Sequence, residues 1–567
     1  MRFTINVNNS EIEVKEGEKL LTALRHNGIK IPTLCYMENF TPAGACRLCV
    51  VEVEGKRDLI TSCSYPVENN MVVKTNSARV IKARKAIVEM LLSSHPDDCL
   101  YCERNGNCEL QFLAEEMNIK ERRYFSKKNI LQRDHSSPSV YRDPAKCILC
   151  NRCVRVCEEV QLVTALEFVS RGNKTTVNSA FNKGLNVSSC INCGQCIMVC
   201  PTGALVDISH IEKVQTVLGN PSKPAAALIS PAFVASVAEH VGIKASDDPL
   251  GRIVAALRKM SFDFVFDLSF GYDMNMLLEA QLLQDRIKKG NTPLFSSCCP
   301  AWIKYAEEFI PEMIPHISTV KSPQQLLGMV LKNQKNKNYD NDLLYTVSFM
   351  PCVANKFEAS REENTKKGKS EIDAVITIRE FLRMLRSFGI DLKSMTSEKP
   401  EPDMFPNSKA GMMTSYSGGK AEAIAVALYR LVSDKKGSGF KFTPPKNPIS
   451  RKEVKVKIGD SDIGFAWVSG IKEAQQYLDE LRNENRKDIH YIEVMACENG
   501  CVGGGGQPIH RNKNKTRNRK KICQELEKNA AFTYADLNKN LSTLITENKS
   551  NKELDLETRF HKRDFIK

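Results

Sequence analysis

The sequence has no apolar run approaching the roughly 20 residues that a bilayer-spanning helix needs, so no membrane partner is expected. Its opening, MRFTINVNNSEIEVKEGEKL, lacks the apolar core of a secretory leader and alternates like a strand pair, so a cytoplasmic protein is expected. The glycine run Gly503 to Gly506 is not closed by Gly-Lys-Ser/Thr, which excludes a phosphate loop. The basic run His510 to Lys521 carries no aromatic residue for base stacking, so the net charge of +14 gives nucleic acid little support. That run reads as a solvated tail or flap, or as a patch that steers an acidic electron carrier.

Cysteine is not scarce. The 567 residues contain 21, in tight Cys-x2-Cys groups that suit metal sites in a reducing compartment rather than a disulfide framework. The length accommodates several domains, and the cysteines divide the chain into segments at 1–78, 79–124, 138–209 and 210–567, the last ending in the basic tail. The first segment sets short alternating runs around Cys35, Cys46, Cys49 and Cys63. It lacks the paired knuckles of a zinc ribbon and has instead a ligand-bearing loop plus one distant cysteine, the logic of a 2Fe–2S site.

The second segment opens with a helix-periodic stretch, ARVIKARKAIVEMLLSSH, and continues into His95, Cys99, Cys102 and Cys108. Three cysteines close behind the histidine make His95 a metal ligand, and spacing alone admits a cluster or zinc. The third segment carries two bacterial ferredoxin runs. Each run gives three ligands to one 4Fe–4S cluster and its fourth to the other. One cluster therefore takes Cys147, Cys150, Cys153 and Cys200, and the second takes Cys190, Cys193, Cys196 and Cys157. Four clusters in chain order imply an electron wire.

From Pro224 short apolar runs alternate with amphipathic helices, an α/β pattern. The expected strands are AAALIS, FDFVFDLS, PLFSS, LLYTVSFM, IDAVIT, IGFAWVS and HYIEVMA. Unusual residues stand at or beyond their carboxyl ends, where open α/β sheets bind ligands: Ser230-Pro231, Cys298-Cys299, Met350 to Cys352, and Cys497. Cys523 lies outside every motif, in a charged helical stretch, and reads as a free thiol.

The strings SSCCPAW (296–302), MPCVANKFE (350–358) and EVMACENGC (493–501) resemble the three signatures of iron–iron (FeFe) hydrogenases of the multi-cluster, ferredoxin-linked clostridial type. The front modules also resemble those of complex I large subunits. The resemblance implies an α+β multidomain chain: a β-grasp 2Fe–2S domain, a small 4Fe–4S domain with one histidine and three cysteine ligands, a two-cluster ferredoxin domain, and a large α/β catalytic domain. It implies reversible reduction of protons to H2, with electrons exchanged with a ferredoxin- or flavodoxin-like carrier, and maturation enzymes as partners.

The cofactor implied is the H-cluster, a 4Fe–4S cube on Cys299, Cys352, Cys497 and Cys501. Cys501 matches the thiolate that bridges to a two-iron unit carrying CO, cyanide and azadithiolate. Cys298 matches the proton relay, and Ser230, Pro231, Gln324, Met350 and Met495 match residues lining the two-iron pocket. A thiol beside the metal site suits this role, because the reaction needs a proton donor within reach.

Two positions depart from the pattern. Asn355 stands where the second signature carries a lysine that contacts cyanide, with Lys356 next to it. Glu279, Arg286 and Ser318 match the outward proton relay, but Leu282 replaces its second glutamate on the same helix face. These departures keep a hydrogen-sensing or low-activity paralogue as the alternative, although such sensors usually lose the cysteine found here at 298. A cluster-assembly relative would also lack that cysteine, and a complex I subunit would lack the three signatures.

Overall fold

The structure is a computed structural model and describes residues 2–126, 131–333, 343–366, 368–401, 408–433, 450–509, 514–530, 532–551 and 554–563. The front module is a five-stranded mixed sheet, with Arg2–Val7 antiparallel to Ser10–Lys15 and parallel to Val72–Lys74. The short helix Leu20–His26 buries Leu20, Leu21, Ala23 and Leu24 against it, as a β-grasp does. The helix expected before His95 runs Ala78–Ser94 and is capped by Ser77, whose side chain accepts from Val80 N.

The ferredoxin segment has little regular structure. Val140–Arg142 pairs with Leu205–Asp207 and Glu167–Val169 with Thr176–Asn178, so loops carry the ligands. Asn151 and Gly194, at matching places in the two cysteine runs, adopt left-handed backbone (φ 68° and 72°) that turns each loop around its thiols. Cys157 lies in the π-helical turn Val156–Val160, an irregularity common at functional positions.

All seven expected catalytic strands form, but in two sheets. The first holds β1 (Ala225–Ile229), β2 (Phe264–Asp267), β4 (Tyr345–Met350) and β5 (Ala374–Thr377) in the parallel order β2-β1-β4-β5. The second holds β3 (Leu294–Phe295), β8 (Tyr491–Met495) and β7 (Ser461–Ser469), all parallel, plus an antiparallel edge strand β6 (Arg451–Ile458). Aliphatic side chains from these strands and from α1 (Pro231–Val241), α2 (Ser269–Lys288), α3 (Pro300–Phe309) and α4 (Gly419–Ser433) make three buried cores.

The described part of the basic run is not a solvated tail. From Asn514 it forms α5 (Asn514–Leu526), which packs on α1. Arg519 donates to Glu239 at 3.4 Å and to Val502 O at 3.2 Å, and Lys515 also pairs with Glu239, so buried acid on α1 holds the basic helix down. Residues 510–513 lie outside the described residues. Cys523 on this helix is buried and free. No helix among the described residues is long and apolar enough to cross a membrane.

Candidate active site

Each cysteine group converges as its spacing predicts. Cys147, Cys150, Cys153 and Cys200 line one cavity, and His95, Cys99, Cys102 and Cys108 line another. Burial pushes Cys193 and Cys196 well above the usual thiol range, and both feel Cys157 and Cys190, so these four thiols lie near one another. Burial lowers His95 to about 4, and its Nδ1 has no hydrogen-bond partner among the described residues. A buried, neutral, unpaired imidazole among thiols is a donor set suited to a metal. In the front module Leu34 N and Cys46 N point at Cys46 Sγ and Cys35 Sγ (3.4 and 3.5 Å).

These sites do not lie in chain order. Cys150 packs with Leu34, Cys35 and Cys46 of the front module. Gly203, beside Cys200, leaves no room for a Cβ, which would sit 2.6 Å from Cys102 Sγ. Both front modules therefore abut the first ferredoxin site rather than following one another in a line. The second ferredoxin site meets the catalytic domain: Gln195 Nε2 lies 3.1 Å from Cys497 Sγ, and a Cβ on Gly505 would fall 2.2 Å from Cys193 O.

In the catalytic domain the loops after β3, β4 and β8 bring Cys299, Cys352, Cys497 and Cys501 together. Burial raises all four thiols, and Cys501 is raised further by the other three. Gly504 and Gly506 press on Pro351, where a Cβ would lie 2.7 and 2.8 Å from its carbonyl oxygen. Glycine at these positions lets the last cysteine loop close over the second. Four enclosed thiols are the donor set of an iron–sulfur cube.

Around them Ser230, Pro231, Gln324, Met350, Asn355 and Met495 are buried. Gln324 Nε2 donates to Asn355 O at 3.3 Å and to Glu358, while its Oε1 has no partner among the described residues. Asn355 Nδ2 reaches Glu358 Oε2 at 3.4 Å, and burial holds that carboxyl up at about 7. Lys356 turns away and is fully buried against Glu380 at 2.8 Å, so it does not substitute for a lysine at 355.

Cys298 makes a separate set of contacts. Its thiol donates to Asn275 Oδ1 at 3.2 Å, and Asn275 Nδ2 donates to Lys321 O at 2.9 Å, which fixes the amide orientation. Lys420 Nζ lies 2.6 Å from Cys298 Sγ and 2.8 Å from Glu279 Oε2. Glu279 also accepts from Tyr491 OH at 2.8 Å and Ser297 Oγ at 3.2 Å. Burial pushes Cys298 up to about 12, against the opposing pull of Lys420.

Ser318 is buried on the chain that bridges to β3, and its Oγ accepts from Val320 N at 3.3 Å. Arg286 sits farther along α2, half-buried, and donates to Pro315 O at 2.8 Å. Leu282 is half-buried against the apolar core, so the helix face between Glu279 and Arg286 carries no proton-bearing side chain at that position. Lys420, Tyr491, Asn275 and Glu358 are the site residues that sequence reasoning missed. Only the Gly418-Gly419 pair before Lys420 hinted at a constrained turn there.

Residues 223–505 match the family model of the iron-only hydrogenase large subunit, C-terminal domain. Residues 1–78 match a 2Fe–2S iron–sulfur cluster binding domain. Residues 84–123 match the NADH-ubiquinone oxidoreductase-G iron–sulfur binding region, and 137–206 the ferredoxin-like domain of NADH-quinone oxidoreductase subunit 3. The chain is 39% identical to the NADP-reducing hydrogenase subunit HndD of Solidesulfovibrio fructosivorans, over 90% of this chain and 89% of that one. The chain belongs to the iron-only (FeFe) hydrogenase family.

It is also 34% identical to iron hydrogenase 1 of Clostridium pasteurianum, over 89% of this hydrogenase and 88% of that one. Its fold matches HydA1 of Chlamydomonas reinhardtii with a TM-score of 0.55 at 22% identity, covering 63% of this chain and 99% of that one. The hydrogenase interconverts protons, electrons and H2, and carries 2Fe–2S, 4Fe–4S and H-cluster domains.

Proposed function

We propose that this hydrogenase runs the H2 reaction reversibly, exchanging electrons with a ferredoxin- or flavodoxin-like carrier through four accessory clusters. The ligand sets are Cys35, Cys46, Cys49 and Cys63 for 2Fe–2S, and His95, Cys99, Cys102 and Cys108 for the first 4Fe–4S cluster. Two more 4Fe–4S clusters use the crossed ferredoxin sets. Cys299, Cys352, Cys497 and Cys501 would hold the cube of the H-cluster, and maturation enzymes would supply its two-iron unit. When bound, that unit would supply the redox chemistry that combines two protons and two electrons into H2.

The protein's own residues bring and hold the proton. One observation carries the reading: Cys298 stands beside a four-thiol set that is already complete, within reach of Glu279 through Lys420. A free thiol placed there serves proton exchange rather than ligation. Ser230, Pro231, Gln324, Met350, Asn355 and Met495 are the buried residues that would line the two-iron unit and limit water there, and Asn355 offers a neutral amide where a charge is expected. Ser318 and Arg286 form the outer part of the route. The anaerobically matured protein should carry about 20 irons per chain and infrared bands of CO and cyanide. About 14 irons and no such bands would remove the H-cluster.

The relation to HndD favours a second reading, in which partner subunits pass the electrons on to NADP. H2-dependent reduction of ferredoxin by the isolated chain, with none of NADP, supports the first carrier. The reverse pattern, or activity appearing only after other subunits are added, supports the second.

A further inference from the structure

Lys420 is 1% exposed at its side chain, and the surrounding backbone is shaped to place it. Gly418 has φ +89° and lies so close to Trp467 that a Cβ would meet its ring at 2.8 Å. A Cβ on Gly419 would fall 1.8 Å from Met413 O, so no larger residue fits this turn. Glu493 of β8 then accepts from Gly418 N at 2.9 Å and Ala421 N at 2.8 Å, which pins the start of α4 to the strand that leads to Cys497. The first side chain of α4 free to reach inward is Lys420.

Burying an ammonium is costly unless it is paired. Here one N–H of Lys420 faces Cys298 Sγ and another faces Glu279 Oε2 (2.6 and 2.8 Å). Lys420 is thus a direct bridge between a residue of the β3 loop and a residue of α2. Tyr491 OH and Ser297 Oγ occupy the other faces of Glu279, and Asn275 Oδ1 takes the Cys298 S–H. The thiol is held from both sides, as acceptor from Lys420 and donor to Asn275.

We infer that Lys420 is a positioning residue of the proton path, holding the Cys298 thiol and the Glu279 carboxylate as one unit. This rests on the hydrogenase reading of the site above. The Cys298-to-Glu279 link it makes does not involve Leu282.

The test uses matured holoenzyme carrying K420M or K420R. Iron content and CO and cyanide bands in the wild type report the H-cluster itself. If the wild type lacks them, the functional reading fails before Lys420 is tested. With them in place, K420M should move the S–H stretching band of Cys298 toward that of a thiol without an N–H neighbour. Turnover should fall by about 10²-fold, the scale of a misplaced reacting group, and the solvent isotope effect should rise. The double variant K420M/E279Q should lose far less than the product of the two single losses, because both substitutions break one unit.

An unshifted S–H band with wild-type turnover in K420M overturns the proposal, and so do multiplicative losses in the double variant. Should K420M not fold, K420R decides. Its guanidinium still donates, so an S–H band near the wild-type position supports the clamp, and a band at the free-thiol position overturns it.

Discussion

The ferredoxin segment and the catalytic domain both bury pockets of cysteine, and they do so by opposite means. Between residues 131 and 209 the pairings are three residues long, and the apolar core includes the thiols themselves, Cys153 and Cys200 among them. The core between the front modules likewise counts Cys35, Cys46 and Cys150 among its buried members. In the catalytic domain two sheets and long helices build cores of Ile, Leu, Val, Phe and Ala. Its four assigned ligand cysteines sit on loops beyond the strands, with Cys299 and Cys352 packed against a third aliphatic and aromatic core rather than making it up. One region is folded around its thiols, and the other is a scaffold of aliphatic and aromatic side chains against which its thiols are set.

Removing metal is the harshest test of that contrast. Binding free energy is folding free energy where ligands make up the core. Protein produced under iron starvation should lose hydrogen-exchange protection throughout 138–209 while β1, β2, β4 and β5 keep theirs. Protection lost equally in both regions, followed by mass spectrometry, would dissolve the distinction.

The next largest effect is chemical. Cys298→Ala should keep iron content and infrared bands nearly intact while H2 turnover falls by ~10²–10⁴, the range for a lost general acid–base group. Full activity would mean that protons reach the metal by another path. Loss of the cluster would make Cys298 structural, which favours the sensing paralogue.

Glu279→Gln probes the scaffold as well as the proton path. It leaves Lys420 buried with its charge uncompensated, a change that costs roughly 3–5 kcal/mol when a buried pair is broken. Slower turnover together with a lower Tm is expected. Slower turnover at an unchanged Tm would mean that Lys420 finds another acceptor.

The contrast also explains what was legible. The ferredoxin cysteines lie within short, fixed spacings, so residue numbers alone say which thiols gather near one another. Their spatial order could not be read that way, because the meeting of both front modules at Cys150 and Gly203 depends on which surfaces touch. In the catalytic domain the apolar runs announced seven strands. The edge strand β6 was not among them, because RKEVKVKI alternates charge with valine, as a solvent-facing edge strand does. Lys420 was missed because nothing in a helix start such as Gly-Lys-Ala-Glu says which way the lysine points. Only the pinning of α4 by Glu493, 73 residues away in sequence by the numbering, settles that.

A smaller effect is expected at Asn355. Asn355→Lys places an ammonium beside Glu358, and a charge-assisted bond is roughly twice as strong as a neutral one. The CO and cyanide bands and the potential of the two-iron unit should shift. Lys356→Met should leave the bands in place and lower stability, because Glu380 loses its buried partner. If Lys356→Met moves the bands and Asn355→Lys does not, the two residues exchange roles.

The smallest effect lies where the two regions join. His210 follows the last ferredoxin strand; its backbone N donates to Glu380 at 2.7 Å and its Nδ1 accepts from Val375 N at 3.2 Å, on β5. Burial, aided by the positive charge of Lys356, lowers its pKa from 6.5 to about 3. Between those two values the unfolded chain binds a proton that the folded chain refuses. Stability contributed here is therefore whole above pH 6.5, declines as pH falls, and is spent near pH 3. The slope is up to about 1.4 kcal/mol per pH unit. His210→Asn keeps an acceptor for Val375 N without the titration, so its Tm should fall less steeply with acid than that of the wild type. Parallel Tm curves would mean that protonation of His210 is tolerated in place, and that the junction between wire and scaffold is looser than these two hydrogen bonds imply.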